Sequence, residues 1–260
     1  MNDKKIKIVK IGGNIISDTS RLQKFLEDFA EIREKKVLVH GGGKLATEVS
    51  QKMGITPSML NGRRITDAET LNVVTMVYGG LINKTLIALL QKAGCNALGF
   101  TGADANIIKA RKRQDTSADY GYAGDIEYVN NNTLSFLIEA GITPVVCSIT
   151  HNEKGQLLNT NADTIAAELA IALGCNYESA LYYCFEKAGV LSNLSDEKSV
   201  IHSIDTLHYK SLVQNGHITD GMLPKLQNCF YALQRGVQEV YIGNEKLICG
   251  THAGGTTLTL

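Results

Sequence analysis

The stretch IKIVKIGGN, residues 6–14, decides the fold class. Its closely spaced isoleucine and valine residues predict a strand that is buried on both faces, as strands inside a parallel sheet are. Lys10 stands near the end of this apolar run, and two glycines follow it. A lysine there must reach water, a buried carboxylate or an anionic ligand, and the rest of the sequence has to distinguish these possibilities.

Short apolar strands alternate with amphipathic helices along the rest of the chain. The predicted strands are residues 6–11, 36–39, 97–100, 143–149, 180–185 and 238–242. The predicted helices are residues 20–34, 43–53, 68–92, 132–140, 163–173, 204–214 and 221–235. This order predicts an α/β fold, a three-layer αβα sandwich in which a mainly parallel sheet is covered by helices on both faces. Such sheets bind ligands at the carboxyl ends of their strands.

Two segments interrupt the alternation and both predict β-ribbons. Residues 58–67 contain Asn61-Gly62, a strong signal for a hairpin turn. Residues 105–129 predict a longer ribbon, with Gly121 and Gly124 at its bends. We expect two lobes that share one sheet, residues 1–175 and 176–260.

Composition excludes several classes of protein. The 260 residues include 26 Lys and Arg against 26 Asp and Glu, so there is no basic excess for nucleic acid, and the run KARKR at 109–113 is interpreted as a solvated hairpin face. The six cysteines lack CxxC pairing and predict reduced thiols, while the six histidines show no metal-ligand spacing. Without a signal sequence or an apolar run that could span a bilayer, we expect a soluble, cytoplasmic protein with no membrane or nucleic-acid partner.

Two strands end in glycine-rich stretches, KIGGN and VHGGGK. The glycines are Gly12, Gly13, Gly41, Gly42 and Gly43. Either stretch alone fits a plain turn, but two of them favour an anionic ligand held by backbone N–H groups. His40 is expected to be a buried, hydrogen-bonded residue and not a base.

Three further polar groups are candidates for a site. Arg63 and Arg64 should point to opposite faces of their ribbon, so that one can hold a carboxylate; otherwise both are solvated. The alternating Asn159, Asn161 and Asp163 precede an apolar helix. A helix cap explains one of these three residues, and a shared polar site would explain all of them.

Lys225 lies beside Pro224 in the first turns of the predicted helix 221–235, which Thr219 or Asp220 would cap. A lysine at the positive end of a helix is disfavoured unless an anion is close. A plain surface lysine remains the alternative.

In this order, the stretches resemble the amino acid kinase superfamily over residues 7–228, and within it most closely the acetylglutamate kinases. They are KIGGN, VHGGG, NGRRITD, GGLINK, YGYAGDI, LLNTNADTIAAELA and ITDGMLPKL. NGRRIT together with LNTNAD distinguishes these kinases from carbamate, aspartate and uridylate kinases.

The resemblance implies phosphoryl transfer from ATP to the γ-carboxylate of an N-acyl-L-glutamate, acetyl or succinyl, in arginine biosynthesis. Mg²⁺ would be carried on the ATP phosphates with mostly water ligands, so no metal site on the protein is expected. Because the nucleophile is already an anion, catalysis should consist of positioning and fixed positive charge.

The resemblance also assigns roles to individual residues. Lys10 and Lys225 would contact the transferred phosphoryl group, and Asp163 would hold both lysines. The expected phosphate-binding residues are Gly12, Gly13 and Gly41. The expected acylglutamate-binding residues are Gly42, Gly43, Arg64, Asn159 and Asn161. The expected nucleotide-binding residues are Glu186, Gly189, Asp220 and Gly221. The N-terminal lobe would bind the acylglutamate and dimerise, and the C-terminal lobe would bind the nucleotide.

The sequence departs from the family in the stretch YYCFEKAGVL. Phe185 stands where the family has a hydroxyl residue, Glu186 where it has Asp, and Lys187 where it has an apolar residue. Two alternatives therefore remain: a kinase of another small acid, or a catalytically weak relative that binds a ligand or a partner. Tyr78, Gly79 and Gly80 are expected to line the pocket for the acyl group.

The resemblance implies a homodimer. The apolar face of the predicted helix 68–92 either contributes to its interface or belongs to the core of the fold. Arginine-inhibited members of the family carry an additional helix before the first strand, and only residues 1–4 precede that strand here. We therefore expect activity that does not respond to arginine.

Overall fold

The computed structural model describes residues 4–60, 63–115, 118–193, 195–216, 218, 222–249 and 254–260. In chain order the strands are β1 (Lys5–Ile11), β2 (Lys35–His40), β3 (Ser58–Leu60), β4 (Arg63–Ile65), β5 (Ala97–Phe100), β6 (Ile108–Lys112), β7 (Gly124–Val129), β8 (Thr143–Cys147), β9 (Ile149–His151), β10 (Leu157–Asn159), β11 (Glu178–Cys184), β12 (Ser203–Ile204), β13 (Glu239–Gly243) and β14 (Thr256–Leu258).

The central sheet has eight strands in the order β12-β14-β13-β11-β1-β2-β8-β5. Its pairings are parallel except for that between β13 and β14. The predicted mainly parallel sheet is confirmed, and β1 lies inside it between β11 and β2.

Helices cover both faces of this sheet. They are α1 (Gly13–Ser17), α2 (Thr19–Ala30), α3 (Gly43–Lys52), α4 (Ala68–Val74), α5 (Asn83–Lys92), α6 (Asn131–Glu139), α7 (Ala162–Leu173), α8 (Thr206–Gln214) and α9 (Leu223–Gln234). Apolar side chains of α6, α7 and α9 form one core with the sheet. Side chains of α2, α4 and α5 form a second core on the opposite face. The three-layer αβα architecture is thereby confirmed.

The pleat of β1 determines where Lys10 points. Ile6 and Ile8 pack in the core beneath α7, whereas Val9 and Ile11 pack in the opposite core, and all four are fully buried. Successive side chains of a strand alternate between faces, so Lys10 shares the face of Ile6 and Ile8. The lysine is therefore directed towards α7.

Smaller sheets confirm the predicted ribbons and correct one strand. β3 pairs with β4, although the Asn61-Gly62 turn lies outside the described residues. A second sheet has the order β10-β9-β6-β7. The prediction of one strand over residues 143–149 is wrong, because β8 ends at Cys147 and Ile149 begins β9 in the second sheet.

Several predicted helices have other bounds than expected. Ile204 belongs to β12, and α8 begins only after Asp205, whose side chain accepts the N–H of His208 as a cap. The predicted helix 20–34 ends early, at Ala30, and begins after Asp18, which caps it. The predicted caps Thr219 and Asp220 lie outside the described residues.

A continuous helical stretch, Ala68–Lys92, joins α4 to α5 through a π-helical segment, Thr75–Ile82. By length and composition it is long and apolar enough to cross a membrane, which corrects the expectation that no such run exists. Its residues Val73, Val74, Leu86 and Leu90 are fully buried in the core of the fold. Core helices of this kind meet the same criteria as membrane spans.

Candidate active site

Three predicted catalytic residues meet at the carboxyl end of β1. Lys10 Nζ lies 2.7 Å from Asp163 Oδ1, and Lys225 Nζ lies 2.9 Å from Asp163 Oδ2. Asp163 comes from the first turn of α7 and Lys225 from the first turn of α9. Their side chains are only 12–17% exposed. Lys10 thus reaches a buried carboxylate, which is one of the three possibilities for this lysine.

The two contacts with Asp163 differ in geometry. Lys225 donates a hydrogen bond to Oδ2. Lys10 approaches Oδ1 at 2.7 Å as an ion pair. Because an ammonium group has three N–H donors, Lys10 can also bind a further acceptor.

The charges of this cluster do not balance. Burial alone would raise the pKa of Asp163, but the attraction of Lys10 and Lys225 holds it well below its usual range. Burial lowers the pKa of Lys10, against the attraction of Asp163. Burial opposes the charge of Lys225 too, but Asp163 outweighs it and raises that pKa. Two ammonium groups share one carboxylate, so a net positive charge is buried, and an anionic ligand would offset its cost.

Asn161 has a structural task next to this cluster. Its Oδ1 accepts the N–H groups of Asp163 at 2.8 Å and Thr164 at 3.1 Å, which caps α7. Of the three alternating polar residues, Asn161 is therefore the helix cap. Asn161 also lines the cavity described below.

The first glycine loop touches the end of β11. The N–H of Gly12 donates to Cys184 O at 2.8 Å and is thus already paired within the protein. A Cβ at Gly12 would lie 3.1 Å from that oxygen and 3.3 Å from Phe185 Cα, so only glycine fits closely here. A Cβ at Gly13 would meet no atom within 4 Å, so this side of the loop is open.

The second glycine loop leads into α3. Gly42 has φ +150°, and a Cβ there would lie 2.2 Å from Ile82 Cδ1. Both conformation and space therefore require glycine. Gly42 cannot cap α3 with a side chain, so the first N–H groups of this ten-residue helix, which starts at Gly43, are offered to an anion.

His40 fixes the start of this loop. It is fully buried, and its Nε2 accepts from Asn83 Nδ2 at 3.0 Å, since the same amide group also donates to Val145 O. Nδ1 must then carry the proton, and it donates to Gly41 O at 2.9 Å. Burial lowers the pKa of His40 to about 4. The expectation of a buried, hydrogen-bonded histidine is confirmed, and Asn83, part of GGLINK, is the partner that the sequence did not assign.

A cavity of about 190 Å³ opens beside the second glycine loop. It is lined by Gly41, Gly42, Gly43, Met59, Arg63, Arg64, Tyr78, Arg113, Ala123, Gly124, Ser148, Asn159, Thr160, Asn161 and Ala162. All five predicted acylglutamate-binding residues are among them, together with Gly41 and Tyr78. The cavity reaches Ala162, the residue before Asp163, so it adjoins the charged cluster.

The two terminal nitrogens of the Arg64 guanidinium group have different surroundings. Nη2 donates to Gly43 O at 3.0 Å and to Thr47 Oγ1 at 2.8 Å. Nη1 is buried and has no hydrogen-bond partner among the described residues. A buried guanidinium nitrogen without a partner is costly, so an anionic oxygen of a ligand would stabilise it.

Two other arginines line the cavity beside Arg64. Arg63 is one of them, next to Arg64 on β4. Arg113, interpreted as solvated, lines it too, whereas Arg111 and Lys112 of the same run are exposed. Arg113 Nε donates to Asp125 Oδ1 at 2.9 Å, which turns the side chain inward. Ser148 and Thr160 gave no signal in the sequence.

The predicted nucleotide-binding residues are Glu186, Gly189, Asp220 and Gly221. Glu186 is exposed. Gly189 is buried, and a Cβ there would lie 2.7 Å from both Thr256 Oγ1 and Val200 Cγ1, so packing within the lobe explains the glycine. Asp220 and Gly221 lie outside the described residues. Within the part of the chain that the structure describes, no group of three His, Cys, Asp or Glu side chains is placed to hold a metal ion.

A doubly covered parallel sheet, with two buried lysines and glycine-rich loops at the carboxyl ends of its strands, defines an α/β protein with a site for an anionic ligand. The sequence pattern of the Amino acid kinase family matches residues 5–244. The chain belongs to this family.

Relatives and solved structures agree with this assignment. The chain is 51% identical over 238 residues to a protein of Parabacteroides distasonis named acetylglutamate kinase, covering 92% of the chain and 93% of that relative. It is 53% identical over 239 residues to a protein of the same name from Cytophaga hutchinsonii, covering 92% and 90%.

Two solved structures share the fold. The crystal structure of smu.665 from Streptococcus mutans has a TM-score of 0.80 at 26% identity, covering 100% of this chain and 99% of that one. Carbamate kinase from Giardia lamblia, bound to AMP-PNP, has a TM-score of 0.71 at 15% identity, covering 99% of both chains, and this likeness concerns the fold alone.

Proposed function

We propose that this protein is a phosphotransferase that transfers the γ-phosphoryl group of ATP to the γ-carboxylate of an N-acyl-L-glutamate, a reaction of arginine biosynthesis. The observation that carries the proposal is the buried cluster of Lys10, Asp163 and Lys225, with its net positive charge, beside a cavity lined by Arg64. The name acetylglutamate kinase, borne by relatives that are about half identical, supports the acceptor.

The substrate occupies the cavity in one orientation. Its α-carboxylate binds the unpartnered Nη1 of Arg64. Its acyl group lies among the neutral lining residues, close to Tyr78. Its γ-carboxylate then points past Asn159 and Ala162 towards the charged cluster, where ATP brings the γ-phosphoryl group.

The chemical step needs charge and alignment and no base. A γ-carboxylate oxygen forms a bond to the γ-phosphorus while the bond from phosphorus to the bridging oxygen of ADP breaks, and that oxygen keeps the electron pair. No proton moves, because the carboxylate is already ionised. Lys10 binds the phosphoryl oxygens from the N-terminal lobe and Lys225 the leaving side. N–H groups of the glycine loops other than that of Gly12, which is paired with Cys184 O, complete the cradle. Mg²⁺ arrives with ATP as part of that substrate.

The lobes divide these tasks. Residues 1–175 carry the cavity and Lys10 and bind the acylglutamate. Residues 176–260 carry Lys225 and bind the nucleotide, with Glu186, Gly189, Asp220 and Gly221 among the contacts.

The protein acts in the cytoplasm as a homodimer, without a nucleic-acid or membrane partner. Met76 and Leu81, 53% and 55% exposed in the π-helical segment, support an apolar two-fold interface along Ala68–Lys92. Light scattering of the purified protein tests the assembly. A monomeric mass at assay concentration would contradict the proposed dimer.

The deciding experiment measures ADP release with glutamate, N-acetylglutamate and N-succinylglutamate side by side, with hydroxylamine trapping of the acyl phosphate. We expect turnover with an acylated substrate and little with free glutamate, whose ammonium group would meet the arginine-lined cavity. The comparison of the two acyl forms identifies the acyl group. Absence of ADP release with all three acids, or preference for free glutamate, would refute the proposed acceptor.

A further inference from the structure

Lys225 has an aromatic surrounding that the proposed mechanism does not use. Its Nζ lies 5.1 Å from the ring centroid of Tyr183 and 5.8 Å from that of Phe185. Tyr183 is fully buried in β11, and Phe185 lies just beyond the end of this strand. Both side chains pack in the same core, beneath α7 and α9. Both distances are within the range of cation–π contacts.

The two aromatic rings can stabilise the excess positive charge of the cluster. Asp163 provides one negative charge for two ammonium groups. A second carboxylate would balance the charge, but it would also repel the phosphates of ATP. The negative face of an aromatic ring stabilises a cation without adding a formal charge, so the positive charge of Lys225 remains available to the phosphoryl group.

The same residues connect the ring pair to the rest of the site. The hydroxyl of Tyr183 donates to the backbone oxygen of Asp163 at 2.8 Å. The backbone of Phe185 packs so closely on Gly12 that a Cβ there would be 3.3 Å from its Cα. Lys10 has no comparable ring contact among the described residues, so this arrangement distinguishes the two lysines.

We propose that Phe185, together with Tyr183, is a positioning residue that holds the charged ammonium group of Lys225 in place for phosphoryl transfer. This assigns a task to the residue that stands where the resembled family has a hydroxyl. The inference rests on the proposed function for its kinetic consequence, whereas the contact itself can be tested without any substrate.

The kinetic test compares Phe185→Leu, which removes the π face but keeps an apolar side chain, with Phe185→Tyr, which keeps the ring. Phe136→Leu, the same change at a 74% exposed site on α6, is the matched control. We expect Phe185→Leu to lower kcat about 2- to 30-fold, the range of one cation–π contact, with both KM values within about twofold. Phe185→Tyr and Phe136→Leu should retain the original kcat. A higher KM for ATP with unchanged kcat would instead make Phe185 a nucleotide contact and overturn the proposal.

The second test measures the contact without catalysis. In a double-mutant cycle of Phe185→Leu and Lys225→Met, the unfolding equilibrium constants should be non-additive by about the same 2- to 30-fold factor. The pKa of Lys225, measured by NMR on labelled lysine, should fall in Phe185→Leu and stay constant in Phe136→Leu. Additive effects together with an unchanged pKa would refute the contact. A positive cycle in a protein that fails to phosphorylate any acylglutamate would contradict the proposed function and not the contact.

Discussion

The two lysines that share Asp163 come from regions that are built in opposite ways. Lys10 is held by backbone, because β1 is hydrogen-bonded to a strand on each side and alternation alone directs the lysine towards α7. Lys225 is held by side chains, namely Asp163, Tyr183 and Phe185, at the start of a helix. One charge is fixed by the fold and the other by a small set of contacts. Substitutions on the two sides should therefore have different consequences.

Asp163→Asn should have the largest effect, because it removes the group that both sides share. Two buried ammonium groups would then lose their counter-charge, and breaking a buried ion pair costs roughly 3–5 kcal/mol. We expect a large loss of both kcat and unfolding free energy. In combination with Lys10→Ala, the losses should be far from additive. Additive losses would mean that Asp163 and Lys10 act independently, and the comparison of two sides around one carboxylate would fail.

Lys10→Ala and Lys225→Ala should each lower kcat by roughly 10²–10³, about 3–4 kcal/mol, because each removes one preorganised positive contact. The KM for the acylglutamate should change much less. Steady-state kinetics on both variants, with Lys112→Ala on the exposed part of β6 as a control, checks this. Near-normal turnover of either variant would remove that lysine from the mechanism.

The contrast between the two sides also explains what could be predicted from the sequence. The apolar run around Lys10 predicted the buried strand β1, because period and burial are local properties of a strand. It left open what Lys10 contacts. No local property connects Lys225 with Asp163, which is 62 residues away in the chain. That pair came from the resemblance, and so did Arg64 as a ligand for a carboxylate.

The failures of prediction follow from tertiary contacts. The strand at 143–149 breaks because Cys147 and Ile149 pair with different sheets, and nothing in this apolar run marks the change. Arg113 faces the cavity because Asp125 on the neighbouring strand draws it inward, whereas the basic run alone indicated solvent. Asn83 could have been noticed in GGLINK, but its bond to His40 spans 43 residues.

His40 tests the side of the comparison that is held by the backbone, which is the side of Lys10. The pKa of His40 is about 4 in the folded protein, below its ordinary value of 6.5, so the unfolded chain binds the additional proton between these values. Stability from this group is complete above pH 6.5 and is lost as the pH falls towards 4, by about 3 kcal/mol. Denaturant unfolding of wild type and His40→Gln at several pH values should show a smaller pH slope for the variant in this window. Equal slopes would mean that His40 does not titrate between the two states.

Arg64→Lys should weaken the binding of the acylglutamate and leave the binding of the nucleotide unchanged. Lysine keeps the charge, but it cannot bind Gly43 and Thr47 with one nitrogen while it offers another to a carboxylate. The loss of a charged hydrogen bond of about 1.5–3 kcal/mol corresponds to a rise in KM of about 10- to 100-fold. Arg111→Lys, on the exposed part of β6, is the matched control. A change confined to the KM for ATP would place Arg64 on the wrong side of the site.

Glu186→Asp should have the smallest effect, and it tests the side that departs from the family. Glu186 is exposed next to Phe185 and is a proposed nucleotide contact. The substitution restores the Asp that the family has at this position. Because the shorter carboxylate moves relative to the nucleotide while Lys225 keeps its partners, we expect a change of a few fold in the KM for ATP. The value of kcat and the KM for the acylglutamate should stay constant. Glu127→Asp, at an exposed position of β7, controls for the loss of one methylene group. If Glu186→Asp lowers kcat at unchanged KM for ATP, this residue belongs with the contacts that hold Lys225 and not with the nucleotide.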